Sequence, residues 1–269
     1  MVSFRVVADS TADTPPEWDV PFVPVHVYAG INEFLDKVEF TANVLRDLAE
    51  KGIKRRTSAP SVKDWMRKFE EIGKDLPVMA ITISSKLSAS FKSAEIAARM
   101  LQKKGYTIKV FDSWNGSIGI GLLIKYAKEM SEKVVDIDTA LARLNELRER
   151  VRTYLVVSDM DAAARSGRIP ALVGKIGKFL NLHPIFVTIN GEIKLLKTVH
   201  GMQHVINEFH RLIEGRKEVW VGVVGRNNYA DELWEYVKSK GLEGEYLNVD
   251  PAIGAHFGYG AFGIAFIED

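Results

Sequence analysis

Short apolar runs that end in polar side chains recur along the first half of the chain. Three such runs, at residues 4–8, 78–83 and 108–111, are rich in β-branched and aromatic residues. Runs of this length and composition predict buried β-strands. They are followed by Asp9-Ser10-Thr11, Ser84-Ser85 and Asp112-Ser113. The pattern therefore predicts three strands that each end in a loop of hydroxyl or carboxylate groups.

Helical spacing separates these strands. Apolar residues recur at intervals of three or four after the second strand, which predicts a helix. They are Phe91, Ala94, Ala98 and Leu101. Another helical pattern begins at Ile118, and residues 138–151 form a charged amphipathic pattern. Alternating strands and helices predict a parallel sheet in an α/β domain.

The second half begins with a new strand at residues 154–157, which predicts a second domain starting near residue 152. Apolar runs at residues 184–189 and 193–199 flank Asn190-Gly191, the strongest short hairpin signal in a sequence. Further helices are predicted at residues 172–179, 202–213 and 231–240, and further strands at 219–224 and 262–267. The predicted fold class is α/β with two domains: residues 1–151 with a mainly parallel sheet, and residues 152–269 with a mixed sheet.

Composition narrows the classes of function. The 36 basic and 35 acidic side chains give a formal net charge of +1, so no overall basic field favours nucleic acid. The absence of cysteine excludes disulfides, thiolate metal sites and cysteine nucleophiles. No apolar stretch approaches the roughly 18 residues of a membrane-spanning helix, and no signal-peptide core is recognisable. We expect a soluble, cytoplasmic protein without stable membrane insertion.

Residues 84–90 place four serines at a predicted junction between strand and helix. A helix amino terminus exposes unpaired N–H groups and a partial positive charge, so hydroxyls added there suit a phosphate or carboxylate. Helix capping explains one or two of these serines, which leaves capping and ligand binding both open. Loops that follow parallel strands meet at one edge of a sheet, so several hydroxyls are expected to converge. The converging set would include Ser10, Thr11, Ser85, Ser88 and Ser113.

Two other segments carry candidate chemistry. Thr57 and Ser58 precede another helical stretch and are candidates for the same cluster, whereas Ser61 is assigned to a capping box with Asp64. His256 lies among three glycines near the end of the chain, where glycine lets the backbone approach a ligand closely. The other five histidines fall in strand or helix patterns without chemical neighbours.

The loop at residues 164–170 contains Arg165 and Arg168 on either side of Gly167. Guanidinium groups suit planar or phosphate-bearing partners, and an exposed polar loop is an equally good explanation. The sequence contains no H-E-x-x-H, P-loop or G-x-S-x-G motif, and residues 115–121 miss the G-x-G-x-x-G spacing. We therefore expect no metal and no cofactor.

Six motifs, in this order, resemble the DegV family over almost the whole chain. They are Asp9-Ser10-Thr11-Ala12-Asp13, Thr57-Ser58-Ala59-Pro60, Ile83-Ser84-Ser85-Lys86-Leu87-Ser88, Asp112-Ser113, Ser166-Gly167-Arg168-Ile169 and Gly254-Ala255-His256-Phe257-Gly258. The resemblance implies a two-domain α/β protein with a long-chain fatty acid bound between its domains. In some members it also implies a binding subunit that presents the fatty acid to a separate ATP-dependent kinase, which forms acyl phosphate.

Carried over to this sequence, the resemblance implies that Thr57, Ser58, Ser88 and His256 hold the carboxylate and that Arg168 works with the kinase partner. The chain itself would be a non-catalytic carrier. Two motifs depart from the family pattern and bear on chain selectivity: Ser-Gly-Thr-Tyr reads Ser88-Ala89-Ser90-Phe91, and His-x-Gly-Pro-Gly reads His256-Phe257-Gly258-Tyr259-Gly260. The alternative is a serine hydrolase acting on acyl esters, with Ser88, His256 and either Asp9 or Asp112.

Overall fold

The computed structural model describes residues 2–170 and 181–268. The strands are β1 (Arg5–Asp9), β2 (Phe22–Val23), β3 (His26–Ala29), β4 (Asn32–Leu35), β5 (Arg55–Ser58), β6 (Val78–Thr82), β7 (Ile108–Asp112), β8 (Val151–Val156), β9 (Leu182–Ile189), β10 (Glu192–His200), β11 (Trp220–Val223), β12 (Tyr246–Asn248) and β13 (Phe262–Ile267). The α-helices are α1 (Ala42–Glu50), α2 (Val62–Ile72), α3 (Ser90–Gln102), α4 (Ile118–Glu132), α5 (Ile137–Arg148), α6 (Met160–Ser166), α7 (Met202–Ile213), α8 (Asn228–Ser239) and α9 (Pro251–Phe257). The helix predicted at residues 172–179 lies outside the described residues.

The first half is built on a parallel sheet with the strand order β2-β1-β6-β7. Strands β1 and β6 are buried almost throughout, as expected for a sheet covered on both faces. A separate antiparallel sheet, in the order β4-β3-β5, carries Thr57 on its edge strand. Helix α2 begins with the predicted capping box, in which Ser61 and Asp64 each bond to the other's backbone N–H.

The second half is built on a six-stranded mixed sheet with the order β10-β9-β8-β13-β11-β12. Only the β11–β12 pair is parallel among the described strands of this sheet. The predicted hairpin is present, with Asn190 and Gly191 both at positive φ between β9 and β10. The parallel sheet and the mixed sheet confirm the predicted α/β class.

The predicted boundary between α5 and β8 is wrong. The helix predicted at residues 138–151 ends at Arg148, and Val151 is the first residue of β8. Val151 pairs with Ile267 and is buried, so tertiary pairing of a β-branched residue overrides the helical pattern. The division into domains at residues 151 and 152 stays a prediction.

Helix α4 joins the two halves, because it packs on strands of both large sheets. Gly121 permits this close approach: a Cβ atom there would lie 2.0 Å from the carbonyl oxygen of Asp13 and 2.6 Å from the Trp220 ring. Residues 118–124 are all buried in the shared core. No helix in the described part of the chain is long and apolar enough to cross a membrane.

Candidate ligand-binding site

A cavity of about 230 Å³ lies where the two halves meet. Its wall is formed by β5, the loop between β6 and α3, the start of α4, the inner face of the mixed sheet, and α9. Most of the lining is apolar, and includes Ile83, Leu87, Ile118, Leu155 and Phe257. Polar side chains interrupt this wall at a few positions. The cavity therefore suits a mainly hydrocarbon ligand with a small number of polar atoms.

His256 reaches the cavity from α9 and bonds to the neighbouring strand β5. Its Nε2 atom lies 2.8 Å from Oγ1 of Thr57, which joins α9 to β5. Burial, followed by the positive charges of Arg168 and Arg55, lowers the pKa of His256 to about 4. The imidazole is therefore neutral near pH 7 and carries one ring proton. With that proton on Nε2, His256 donates to Thr57 and leaves the Thr57 hydroxyl proton available to a ligand.

The alternation of strand β5 separates Thr57 from Ser58. Thr57 is half-buried and lines the cavity, whereas the Ser58 side chain is exposed and donates to the carbonyl oxygen of Ala59 at 3.4 Å. Successive side chains of a strand point to opposite faces, so both cannot face one cavity from a regular strand. Ser58 therefore does not join the site expected from the sequence.

Ser88 lines the cavity from the loop before α3. Its Oγ accepts a hydrogen bond from the backbone N–H of Ser90 at 3.2 Å, which leaves the Ser88 hydroxyl proton for another acceptor. Ser84 fixes the same loop by donating to the carbonyl oxygen of Gly191 at 2.7 Å, so the β9–β10 hairpin tip holds it in place. Of the hydroxyls predicted to bind the carboxylate, Ser88 and Thr57 line the cavity.

Ser10, Ser85 and Ser113 are not among the residues that line the cavity, and two of them have structural partners. Ser10 is buried and donates to Asp36 at 2.5 Å, and Ser113 is buried and donates to the carbonyl oxygen of Asn115 at 3.1 Å. Ser85 is exposed. Of the serines expected to converge, Ser88 therefore lines the cavity, whereas Ser10 and Ser113 bond to neighbouring loops.

The residues of the hydrolase alternative are not arranged as a triad. His256 Nε2 bonds to Thr57 rather than to Ser88. Asp9 accepts from Thr11, from Ser90 and from the backbone N–H of Ile83. Asp112 Oδ1 accepts from the backbone N–H groups of Ser85 and Trp114. The two strand-end aspartates therefore order loops, and the geometry does not favour nucleophilic catalysis.

Two arginines contribute positive charge close to His256. Arg168 lines the cavity and is also exposed, and its guanidinium donates to the backbone carbonyl groups of Ser166 and Leu87. Arg55, which the sequence analysis missed, has a side chain only 4% exposed and pairs with Asp159 at 3.3 Å. The sequence did contain a clue to Arg55: it lies two residues before Thr57 on β5, and residues i and i+2 of a strand share one face.

Two buried carboxylates, Asp13 and Asp36, hold the start of α9 in place. Asp13 Oδ1 accepts from the backbone N–H of Asp250 at 2.9 Å, and Asp36 Oδ1 accepts from that of Ala252 at 3.1 Å. Lys37 lies 3.4 Å from Asp13 and supplies the opposing charge. Burial nevertheless raises the pKa of Asp13 to about 6. No group of three or more His, Cys, Asp or Glu side chains among residues 2–170 and 181–268 is arranged to hold a metal ion.

Thr11, whose loop was expected at this edge of the sheet, also lines the cavity. Among the described residues, three further hydroxyls that the sequence did not point to line it as well: Ser117, Thr153 and Thr188. Thr153 and Thr188 come from strands β8 and β9, where nothing in the local sequence distinguishes a cavity-facing threonine from one facing solvent. Their position follows from the pairing of the mixed sheet.

Comparison with known proteins gives one consistent family. A family model described as "Uncharacterised protein, DegV family" matches residues 3–269. A DegV domain-containing protein of Staphylococcus aureus strain MRSA252 is 27% identical, with 98% of each chain covered. A DegV family protein from Thermus thermophilus, described as binding fatty acid, superposes with a TM-score of 0.89 at 27% identity, with both chains covered completely. A DegV lipid-binding protein from Thermotoga maritima gives a TM-score of 0.86 at 25% identity, covering 98% of this chain and 97% of that one.

Proposed function

This chain belongs to the DegV family, and from that premise we propose that it binds a long-chain fatty acid in the cavity between its halves. One observation carries the proposal: an apolar cavity has Thr57, Ser88, Arg168 and His256 together in its wall. The apolar wall suits a hydrocarbon tail, and the four polar side chains suit a carboxylate. The relatives described as binding fatty acid or lipid support the same ligand class.

The tail supplies the affinity in this proposal. Burying a saturated chain of about 15 methylenes at roughly 0.8 kcal/mol each gives on the order of 12 kcal/mol, before the costs of ordering the ligand and the protein. The apolar wall of the cavity provides the surface against which this burial occurs.

The carboxylate is an acceptor only, so every protein group that holds it must donate. Ser88 and Thr57 each have a hydroxyl proton that their described hydrogen bonds do not require, given an Nε2 proton on His256. The guanidinium of Arg168 adds positive charge at the same end of the cavity. A buried carboxylate without such donors would be protonated or costly to bind.

The binding site is tested by lipid analysis and by paired variants. Mass spectrometry of the denatured protein should find a co-purified fatty acid, and calorimetry should detect added palmitic acid. Ser88→Ala and Thr57→Val should each weaken binding about ten- to hundredfold, as expected for a lost hydrogen bond to a charged group. Ser85→Ala and Ser58→Ala are matched controls, since these neighbouring hydroxyls are exposed. The absence of both co-purified lipid and added-ligand binding would refute the proposal.

We further propose that the chain is a carrier which presents the bound carboxylate to a separate ATP-dependent fatty acid kinase. Arg168 supports this role by its position, because the side chain lies at the cavity and is also exposed at the surface. A partner that approaches this surface would meet the carboxylate end of the ligand.

The kinase role is tested with the lipid-loaded protein, a bacterial fatty acid kinase catalytic subunit and ATP, by measuring acyl phosphate. Arg168→Ala should lower the rate at saturating fatty acid, while the bound lipid measured by mass spectrometry is retained. Arg165→Ala is the control, as that arginine belongs to the same loop and does not line the cavity. Equal rates for both variants and the unmodified chain would contradict this role for Arg168.

A further inference from the structure

Thr188 differs from the other hydroxyls in the inner part of the cavity. The Thr11 hydroxyl donates to Asp9, Ser117 donates to Asp13 at 2.7 Å, and Thr153 donates to Asn115 at 2.7 Å. Thr188 is only 4% exposed and lines the cavity, and within the described residues its hydroxyl has no hydrogen-bond partner. It is therefore an unused donor and acceptor inside a mainly apolar wall.

The strand register separates Thr188 from the end of the cavity that holds His256. The backbone N–H of Ser158, two residues after the end of β8, donates to the carbonyl oxygen of Phe257 in α9. The His256 end of the cavity is therefore next to Val156, the last residue of β8. Tyr154 pairs with Val187 in antiparallel register, and extending that register by one residue places Thr153 beside Thr188.

Thr153 precedes Val156 by three residues, which at a rise of roughly 3.3 Å per residue is about 10 Å along the strand. Thr188 lies on the neighbouring strand at the level of Thr153. A fatty acid whose carboxylate is at His256 would therefore pass Thr188 with its hydrocarbon chain and not with its head group.

A threonine at this position is unfavourable for an unsubstituted chain. Binding such a chain would cover the hydroxyl with methylene groups and leave its hydrogen-bonding capacity unmet. Valine has the same shape and would avoid that cost. A ligand hydroxyl, which donates and accepts as threonine does, would satisfy the group.

We propose that Thr188 is a specificity residue that favours acyl chains carrying a hydroxyl group partway along the chain. The inference rests on the proposed fatty acid site and goes further by naming a subclass of ligand. It assigns to the cavity one polar position for the head group, at His256, and a second, about 10 Å along the strands from Val156, for a substituent on the chain.

Calorimetry with stearic acid and with stearic acids hydroxylated at single mid-chain carbons tests this proposal. For at least one hydroxyl position, the unmodified protein should prefer the hydroxylated ligand, and Thr188→Val should reduce that preference about tenfold, the value of one hydrogen bond. Thr188→Ser keeps the hydroxyl and should keep the preference, which separates the hydroxyl's role from any change in packing. Thr198→Val, on the adjacent strand β10 and away from the cavity lining, is the matched control.

Identical preferences in the unmodified protein and Thr188→Val at every hydroxyl position would overturn the proposal. In that case stearic acid binding would still support the fatty acid site itself. Failure of stearic acid and of all hydroxylated ligands to bind would instead refute the proposed function. The two failures are therefore distinguishable in one experiment.

Discussion

The pH dependence of stability gives a direct test of the environment assigned to His256. In the folded protein its pKa is lowered to about 4, mainly by burial, from an ordinary value of 6.5. The unfolded chain therefore binds more protons than the folded chain between these two values. The stabilising contribution is complete above pH 6.5 and is lost as the pH falls toward 4.

The size of the effect follows from the two pKa values. One pKa unit corresponds to about 1.36 kcal/mol. Between pH 7.5 and pH 4.5, the lowered pKa of His256 therefore decreases the free energy of unfolding by about 2 to 3 kcal/mol. Other buried groups act in the opposite sense: the raised pKa of Asp13, about 6, stabilises the folded state as the pH falls. The contribution of His256 must therefore be measured as a difference between two proteins.

The assay is urea denaturation at pH 7.5 and 4.5 of the unmodified chain and of His256→Gln, both stripped of lipid. Glutamine keeps an amide that can bond to Thr57 and cannot be protonated in this range. The unmodified chain should lose about 2 to 3 kcal/mol more than the variant on acidification. An equal loss in both proteins would refute the assignment of a buried, neutral histidine beside two arginines.

Three stability predictions follow from single contacts, each measured by urea denaturation at pH 7.5. Gly121→Ala should destabilise the fold by about 1 to 3 kcal/mol, because the added Cβ meets the Asp13 carbonyl oxygen, and an unchanged midpoint would contradict the packing of α4. Asp159→Asn, which keeps an oxygen to cap α6 and removes the charge, should cost about 3 kcal/mol by leaving buried Arg55 without its charge partner; a loss below 0.5 kcal/mol would contradict this. Ser61→Ala should cost about 1 kcal/mol through loss of the capping box, and no loss would show the cap to be dispensable.

Local pattern was sufficient to predict much of the fold. The helix at Met202–Ile213, the strand at Phe262–Ile267 and the hairpin at Asn190-Gly191 follow from periodicity and turn chemistry, which act over a few residues. The three strands with polar ends also occur as predicted. In each case short-range preference and long-range packing favour the same structure.

The candidate site was predictable only in part, because a motif specifies residue types and not the directions of their side chains. Thr57, Ser88 and His256 come together across almost 200 positions of sequence, as the family resemblance implied. Ser58 does not, since strand alternation turns it outward, and Ser10 and Ser113 are occupied by structural bonds.

The sequence by itself determined the α/β class, most elements and the head-group candidates, since these depend on local periodicity and on motifs. Only the tertiary structure decided which hydroxyls face the cavity and which are already hydrogen-bonded. The pairing of Arg55 with Asp159, and the lack of a partner for the Thr188 hydroxyl among the described residues, are not encoded locally, because burial and hydrogen-bond partners are set by residues far away in the chain. The second polar position of the cavity is therefore a property of sheet pairing and not of any sequence motif.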